Sequence, residues 1–317
     1  MASSSNEKIN GLSKKEVNIH FIITRVFCVI GLIPNCILVL LIILRKKFHN
    51  SENVLVFQLS IACICFIFSY FFPKLDNITV DGVEKETIVC KLQMFINVVF
   101  DLMTMLFTLC IACMNYYAFI LPEKTEANKT KILKIMSIIS WVIPLLYGIF
   151  CVFVNKQSLG ATKICWPRST VVVLVFTLLI IGIFILNMYY VIRLLVLIKR
   201  SISGENYDIK YKSYFWHLIW YILAQLVTHI PFLFDIIRHA VARFSGEKFF
   251  DVLWEKLLRD ISKTITGLLF AFVYCFTLEK WDELKKMFCC IPEVIIENND
   301  WEGGVMEIEE KKREDSL

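Results

Sequence analysis

The 317-residue chain is 57% hydrophobic, with 26 Phe and a mean hydropathy of +0.63, and only 20% of its residues are charged. A soluble domain carries about a quarter charged residues, so this composition excludes an ordinary water-soluble enzyme or binding module. The net charge of +5 is dispersed along the chain and gives no basis for a nucleic-acid partner.

Met1–Glu16 is polar and lacks the apolar core of a cleavable signal peptide, so the first apolar stretch is expected to act as its own insertion signal. Seven such stretches follow: His20–Leu44, Asn53–Pro73, Lys91–Leu121, Ile132–Val154, Thr170–Ile198, Tyr214–Val241 and Leu257–Thr277. Each reaches the roughly 20 apolar residues that cross a bilayer core of about 30 Å. Within lipid only helices and closed barrels satisfy their backbone groups, and no strand-like alternation recurs. The expected fold is therefore an all-α membrane protein, a seven-helix bundle. Its parts are an outer N-terminus (1–19), the bundle with a membrane-parallel helix (20–288) and an acidic tail inside the cell (289–317). Glu279–Phe288 is amphipathic, with Trp281 and Phe288 on its apolar side, and reads as that short extra helix on the bilayer surface.

Parity fixes which loops share a side. Cys90 opens the third stretch and Cys165 lies between the fourth and fifth, both on the side of the N-terminus. A disulfide between them requires that side to be oxidising. The sequon Asn77-Ile78-Thr79 falls there too and makes Asn77 a glycosylation candidate, although it sits close to the membrane. Cys289 and Cys290 fall on the opposite side, where S-palmitoylation occurs. Basic residues after the first, third and fifth stretches agree weakly with the same orientation. The expected location is the plasma membrane, multi-pass, with the N-terminus outside and the C-terminus cytoplasmic.

From Cys90 the chain reads Cys90-Lys91-Leu92-Gln93, a long apolar helix, Ile111-Ala112-Cys113-Met114-Asn115-Tyr116 and Pro122. This resembles the third span of G-protein-coupled receptors, with Met114-Asn115-Tyr116 where Asp-Arg-Tyr is usual. Asn115 and the Cys-x-x-Gln start are similar to the cyclic-AMP-receptor-like members. Other landmarks match in part. Pro34-Asn35 stands for Gly-Asn, and Cys63 replaces the Asp of span two. Trp141 matches the span-four Trp, and His229-Ile230-Pro231-Phe232 stands for Cys-Trp-x-Pro-Phe. Phe270 and Ala271 replace Asn and Pro before Tyr274. The resemblance implies a ligand-activated receptor, with an extracellular ligand of unknown class, a heterotrimeric G protein and the bilayer as partners. It further implies the Cys90–Cys165 bridge and a G-protein crevice lined by Asn115, Tyr116, Tyr190 and Tyr274.

The polar residues inside the spans are the candidate ligand site. A charge near the bilayer centre costs at least ~2.5–3.5 kcal/mol and normally faces the bundle interior with a partner. Asn97 and Asp101, four apart, share one helix face, and Asp260 and Lys263 lie three apart in span seven. An Asp101–Lys263 pair has two readings: a ligand-sensitive lock, or a brace between spans three and seven. A retinal Schiff base on Lys263 is a third reading with nothing else in its favour. His229, one turn before Pro231, is either a switch for span six or a hydrogen-bonded packing residue. Phe232 is a further candidate for the wall, and Asp235, Arg238 and His239, farther out toward the mouth, either contact ligand or sit in the interface.

Two other classes fit less well. A transporter would show internal repeats, and a membrane metal hydrolase would need His and carboxylates at ligand spacing. Neither pattern is present, so no enzyme activity, metal or cofactor is expected. A divergent nematode-type chemoreceptor remains the alternative within receptors.

Overall fold

The computed structural model describes residues 14–44, 51–71, 79–80, 83–84, 88–154, 157–159, 165–167, 169–202, 209–245 and 253–275. The helices are α1 (Lys14–Leu44), α2 (Ser51–Ser69), α3 (Ile88–Ile120), α4 (Pro122–Val154), α5 (Thr170–Ile202), α6 (Ile209–Ser245), α7 (Leu253–Thr264) and α8 (Thr266–Cys275). They form an all-α bundle of seven spans, because α7 and α8 together make the last one. Four of the helices are long and apolar enough to cross a membrane by length and composition alone, with α2 and α6 holding shorter apolar windows. All of this lies in one compact unit, Met1–Thr277. The amphipathic segment 279–288, Cys289, Cys290, Asn77 and the tail fall outside the described residues.

Burial singles out α3 as the axis. It packs on α2, α4 and α5, and 78% of its most apolar window is inside the molecule, against 22–33% for α1, α4 and α5. Those three turn side chains such as Val26, Ile138, Leu146, Leu178 and Ile185 outward. Helices that are apolar on every side belong in lipid or in a core. One core cluster gathers Phe107, Leu59, Leu194, Ile198 and Phe270 between α2, α3, α5 and α8. Another joins Met94, Leu102, Phe176, Ile180 and Phe232 between α3, α5 and α6.

Two glycines set how closely α1 and the last span approach. A Cβ on Gly31 would strike the backbone oxygen of Thr264, and one on Gly267 would strike the Asn35 amide. Small residues of this kind let membrane helices pack backbone to backbone. Asn35, buried at that crossing, donates from Nδ2 to the Gly31 carbonyl at 2.8 Å.

The structure departs from the sequence expectations at element ends and in span seven. α1 begins at Lys14 rather than His20, α6 runs from Ile209 to Ser245, and α7 starts at Leu253 rather than Leu257. Span seven is also not one uniform helix. Ser262, Thr264 and Thr266 each return their hydroxyl to a carbonyl three or four residues back, those of Arg259, Ile261 and Ser262. Such back-bonding bends helices, and the break falls at Ile265, which still donates to Ile261 O at 2.9 Å. Two short antiparallel hairpins also appear where only loops were expected. They are β1 (Thr79–Val80) with β2 (Val83–Glu84), and β3 (Gln157–Leu159) with β4 (Cys165–Pro167). By connectivity both lie at the end of the bundle where α1 begins, here called the N-terminal face.

Candidate functional site

Asp101 stands about 20 Å along α3 from its start, and Lys263 about 15 Å along α7, at 1.5 Å per residue. The two meet across the bundle: Lys263 Nζ donates to Asp101 Oδ1 at 2.5 Å, with the side chains 4% and 3% exposed. The ammonium also lies 3.6 Å from the centroid of the Phe232 ring. A cation over an aromatic face gains most when water is excluded, as it is here. α3, α6 and α7 are thus tied at one point by charge and by the ring.

Beside the pair is a small cavity lined by Cys63, Thr104, His229, Thr266 and Gly267 together with Asp101 and Lys263. Its volume of about 10 Å³ has room for roughly one water. His229 faces it and is 1% exposed, with Nδ1 at 3.0 Å from Gln225 O and 2.6 Å from Thr228 Oγ1. Its ring lies 6.0 Å from that of Phe184 on α5. His229 is therefore both a hydrogen-bonded packing residue and part of the wall.

Toward the N-terminal face the polar residues continue. One turn from Asp101, the Asn97 Oδ1 lies 2.5 Å from Ser69 Oγ, while its Nδ2 is buried without a partner. Gln93 donates to the Ser69 carbonyl at 3.2 Å. Asp260, one turn from Lys263, takes Arg259 Nε on Oδ1 at 2.7 Å and has His20 Nε2 of α1 3.2 Å from Oδ2. Arg259 also donates to Asp235 Oδ2 at 2.8 Å, and Lys256 to Asp235 Oδ1 at 3.1 Å. An Arg238–Glu255 pair adds a further tie between α6 and α7.

Of the six residues expected to line a ligand site, Asp101, Lys263, His229 and Phe232 come together. Asn97 and Asp260 stand one turn above them. Sequence reasoning did not place Lys256 or His20 in this network. Lys256 falls just before the expected span, which starts at Leu257, four residues after α7 begins at Leu253. Its spacing to Arg259 and Lys263, three and seven residues, marks one helix face and was the available signal. His20 at the edge of span one carried no signal of its own, since its partner is 240 residues away in sequence.

At the opposite face, the rings of Tyr116 and Tyr190 lie edge to face at 5.4 Å. Asn115 is half-buried and Tyr274 is buried. Between the two ends, Tyr221 of α6 donates to Thr108 O of α3 at 2.7 Å. Gln225 Nε2 lies 3.4 Å from the Tyr221 oxygen, and Asn187 Nδ2 of α5 lies 3.5 Å from Thr108 Oγ1.

A seven-span bundle with a polar half and a tyrosine-lined end is matched by one family model, the 7 transmembrane receptor (rhodopsin family), over residues 34–278. The chain belongs to this family. The match starts at Pro34 and runs past Tyr274, so it covers the partial landmarks of every span. No curated protein matches the receptor. Family membership makes it a multi-pass membrane protein of a class that is generally non-enzymatic and that works through ligands and G proteins.

Proposed function

We propose that this receptor binds an extracellular ligand beside the Asp101–Lys263 pair and activates a heterotrimeric G protein at the opposite face. The observation that carries the reading is the buried ion pair itself. It joins α3 to α7, is capped by Phe232 of α6, and adjoins the cavity. A ligand acts only through its differential affinity for two arrangements, and a group that perturbs this junction touches three helices at once. Asn97, His229 and Asp260 would complete the site. The test is a screen of the full chain at the cell surface with G-protein dissociation as the readout. Failure of every G-protein class to respond, to any compound or in the basal state, would sink the reading.

In this reading the N-terminal face is outside. Asn77 is then a sequon on the glycosylated side and Cys289 and Cys290 are acylation candidates within the cell. The Cys90-Lys91-Leu92-Gln93 start and Asn115 favour the cyclic-AMP-receptor-like branch over the nematode chemoreceptor alternative.

The Cys90–Cys165 bridge belongs to the same proposal. Cys90 is buried and is set apart from the free thiols of the spans, such as Cys28 and Cys63. The strand that begins at Cys165 packs against α3. Non-reducing peptide mapping is expected to recover the two cysteines in one linked pair, and recovery of both as free thiols overturns it. Such a bridge would contribute roughly 2–4 kcal/mol.

Asn115 stands where the family usually carries an Arg, so contact with the G protein would run through neutral hydrogen bonds and the Tyr116–Tyr190 surface. Asn115→Ala is expected to reduce coupling several-fold at unchanged surface level. Equal coupling at equal expression would remove Asn115 from the crevice.

A further inference from the structure

α5 carries cations but no acid: from Thr170 to Ile202 it has Arg193, Lys199 and Arg200, and neither Asp nor Glu. Arg193 is the deepest of the three. The roughly 20 residues from Thr170 to Tyr190 span about 30 Å, one bilayer core. Arg193 therefore stands just past the edge of that core, at the face opposite the N-terminal one. It is exposed and makes no ion pair among the described residues. Its neighbour α3 offers no carboxylate either, since its one acid is Asp101, already held by Lys263.

Beside Arg193 stand tyrosines from two helices. The Tyr116 and Tyr190 rings meet at 5.4 Å, with Tyr117 at 5.6 Å from Tyr116 and Tyr189 at 5.5 Å from Tyr190. Tyr117 and Tyr189 are 42% and 52% exposed. Tyr189 precedes Arg193 by four residues, so the two share a face of α5.

The helices part at this level. Toward the N-terminal face α4 meets α5, where the Tyr147 hydroxyl donates to Val172 O at 2.7 Å and its ring stacks on Phe176 at 5.9 Å. No broad contact joins the two helices among the described residues, and each packs on α3 instead. Cys110 of α3 lies 3.4 Å from Ser140 of α4. Tyr117, seven residues on and so on the same helix face, also reaches the Tyr190 ring of α5 at 6.3 Å. Tyr117 thus floors a wedge between α4 and α5, and the wedge ends at Tyr189 and Arg193.

An arginine at the edge of a bilayer with no carboxylate in reach has one abundant counter-ion, the lipid phosphate. Its planar fork takes phosphate oxygens in pairs. Tyrosine suits the same level, because its ring is apolar and its tip is wet. A phosphatidylcholine phosphate arrives with its own ammonium, whereas an acidic lipid leaves that charge uncancelled. We propose that Arg193 and Tyr189 hold the headgroup of an acidic phospholipid, whose acyl chain fills the wedge between α4 and α5.

The experiment titrates phosphatidylglycerol into the purified full chain in phosphatidylcholine nanodiscs, with bound lipid counted by native mass spectrometry. Lys134 is the control. The Cys110–Ser140 contact puts it at the depth of Tyr117, and it is exposed with no tyrosine in the adjoining turns of α4. Arg193→Gln is expected to weaken phosphatidylglycerol binding about fivefold, the factor that ~1 kcal/mol for one surface cation gives. Tyr189→Phe, which keeps the ring and removes the hydroxyl, is expected to lose part of the binding, and Lys134→Gln to lose none. Inorganic phosphate is expected not to displace the lipid, since it has no chain to fill the wedge. Unchanged binding in Arg193→Gln overturns the site. An equal loss in Lys134→Gln overturns it too, by showing an undirected basic belt, and displacement by inorganic phosphate overturns the lipid as its occupant. Should Arg193→Gln fail to reach the membrane, Tyr189→Phe carries the test, and binding equal to wild type there overturns the proposal. No arm uses a G protein or a receptor ligand, so the outcome is independent of the function proposed above.

Discussion

Lys263→Ala and Asp101→Ala are each expected to lower surface yield sharply, because each leaves one uncompensated charge among helices that exclude water. For a buried pair the loss is typically about 3–5 kcal/mol, a large part of the stability of any domain. The double variant removes both charges and is expected to regain part of the lost yield. Phe232 sharpens the asymmetry. Lys263→Ala strips the cation from over its ring as well as from Asp101, whereas Asp101→Asn keeps shape and leaves the ammonium the ring alone. If the pair also holds the resting arrangement, Lys263→Ala molecules that reach the surface should signal more without ligand. A double-mutant cycle on yield and melting temperature decides the first point, since only interacting residues give non-additive effects. Additive losses would separate the two sites. Non-additive losses with unchanged basal signalling would leave a brace and no lock.

The ion pair was legible in the sequence because charge inside an apolar run has few solutions. Once Asp101 and Lys263 were placed in spans three and seven, pairing followed from the cost of leaving either alone. Seven spans and their order were legible for the same reason: length and apolarity decide membrane crossing without any knowledge of packing. The interruption at Ile265 was not. It goes with three hydroxyls returning to the backbone, and the close approach of α1 at Gly31 and Gly267 was equally hidden. The first is a rotamer choice and the second is a crossing angle, and neither has a periodic signature. The α6–α7 charge network was half legible. Asp235 and Arg238 were visible as polar residues near a helix end, but their partners Lys256, Arg259 and Glu255 lie across a loop whose geometry the sequence does not specify. The hairpins beside α3 and α5 escaped because strands of two or three residues fall below any alternation signal.

Tyr221→Phe is expected to raise ligand-independent G-protein activation roughly tenfold. The phenol donates to Thr108 O at 2.7 Å and has Gln225 Nε2 at 3.4 Å, so α6 is tied to α3 about midway between the ion pair and the Tyr116–Tyr190 surface. Deleting one oxygen leaves Gln225 without that partner in a site where the residue is 0% exposed. Removing one member of a buried hydrogen bond costs about 1–3 kcal/mol, and each 1.4 kcal/mol moves a two-state ratio tenfold. The phenylalanine keeps the ring packing on Phe270, whose centroid is 5.8 Å away, so the core beneath is preserved and the loss falls on the tie between helices. The cost lands on the arrangement in which α6 sits against α3, and the equilibrium moves toward arrangements in which it does not. Gln225→Leu, which removes the orphaned amide, should by itself raise basal activity less than Tyr221→Phe. The readout is basal G-protein dissociation at matched surface expression, with melting temperature measured alongside. A fall in melting temperature without any rise in basal signalling would show that Tyr221 stabilises the fold and does not bias its two arrangements.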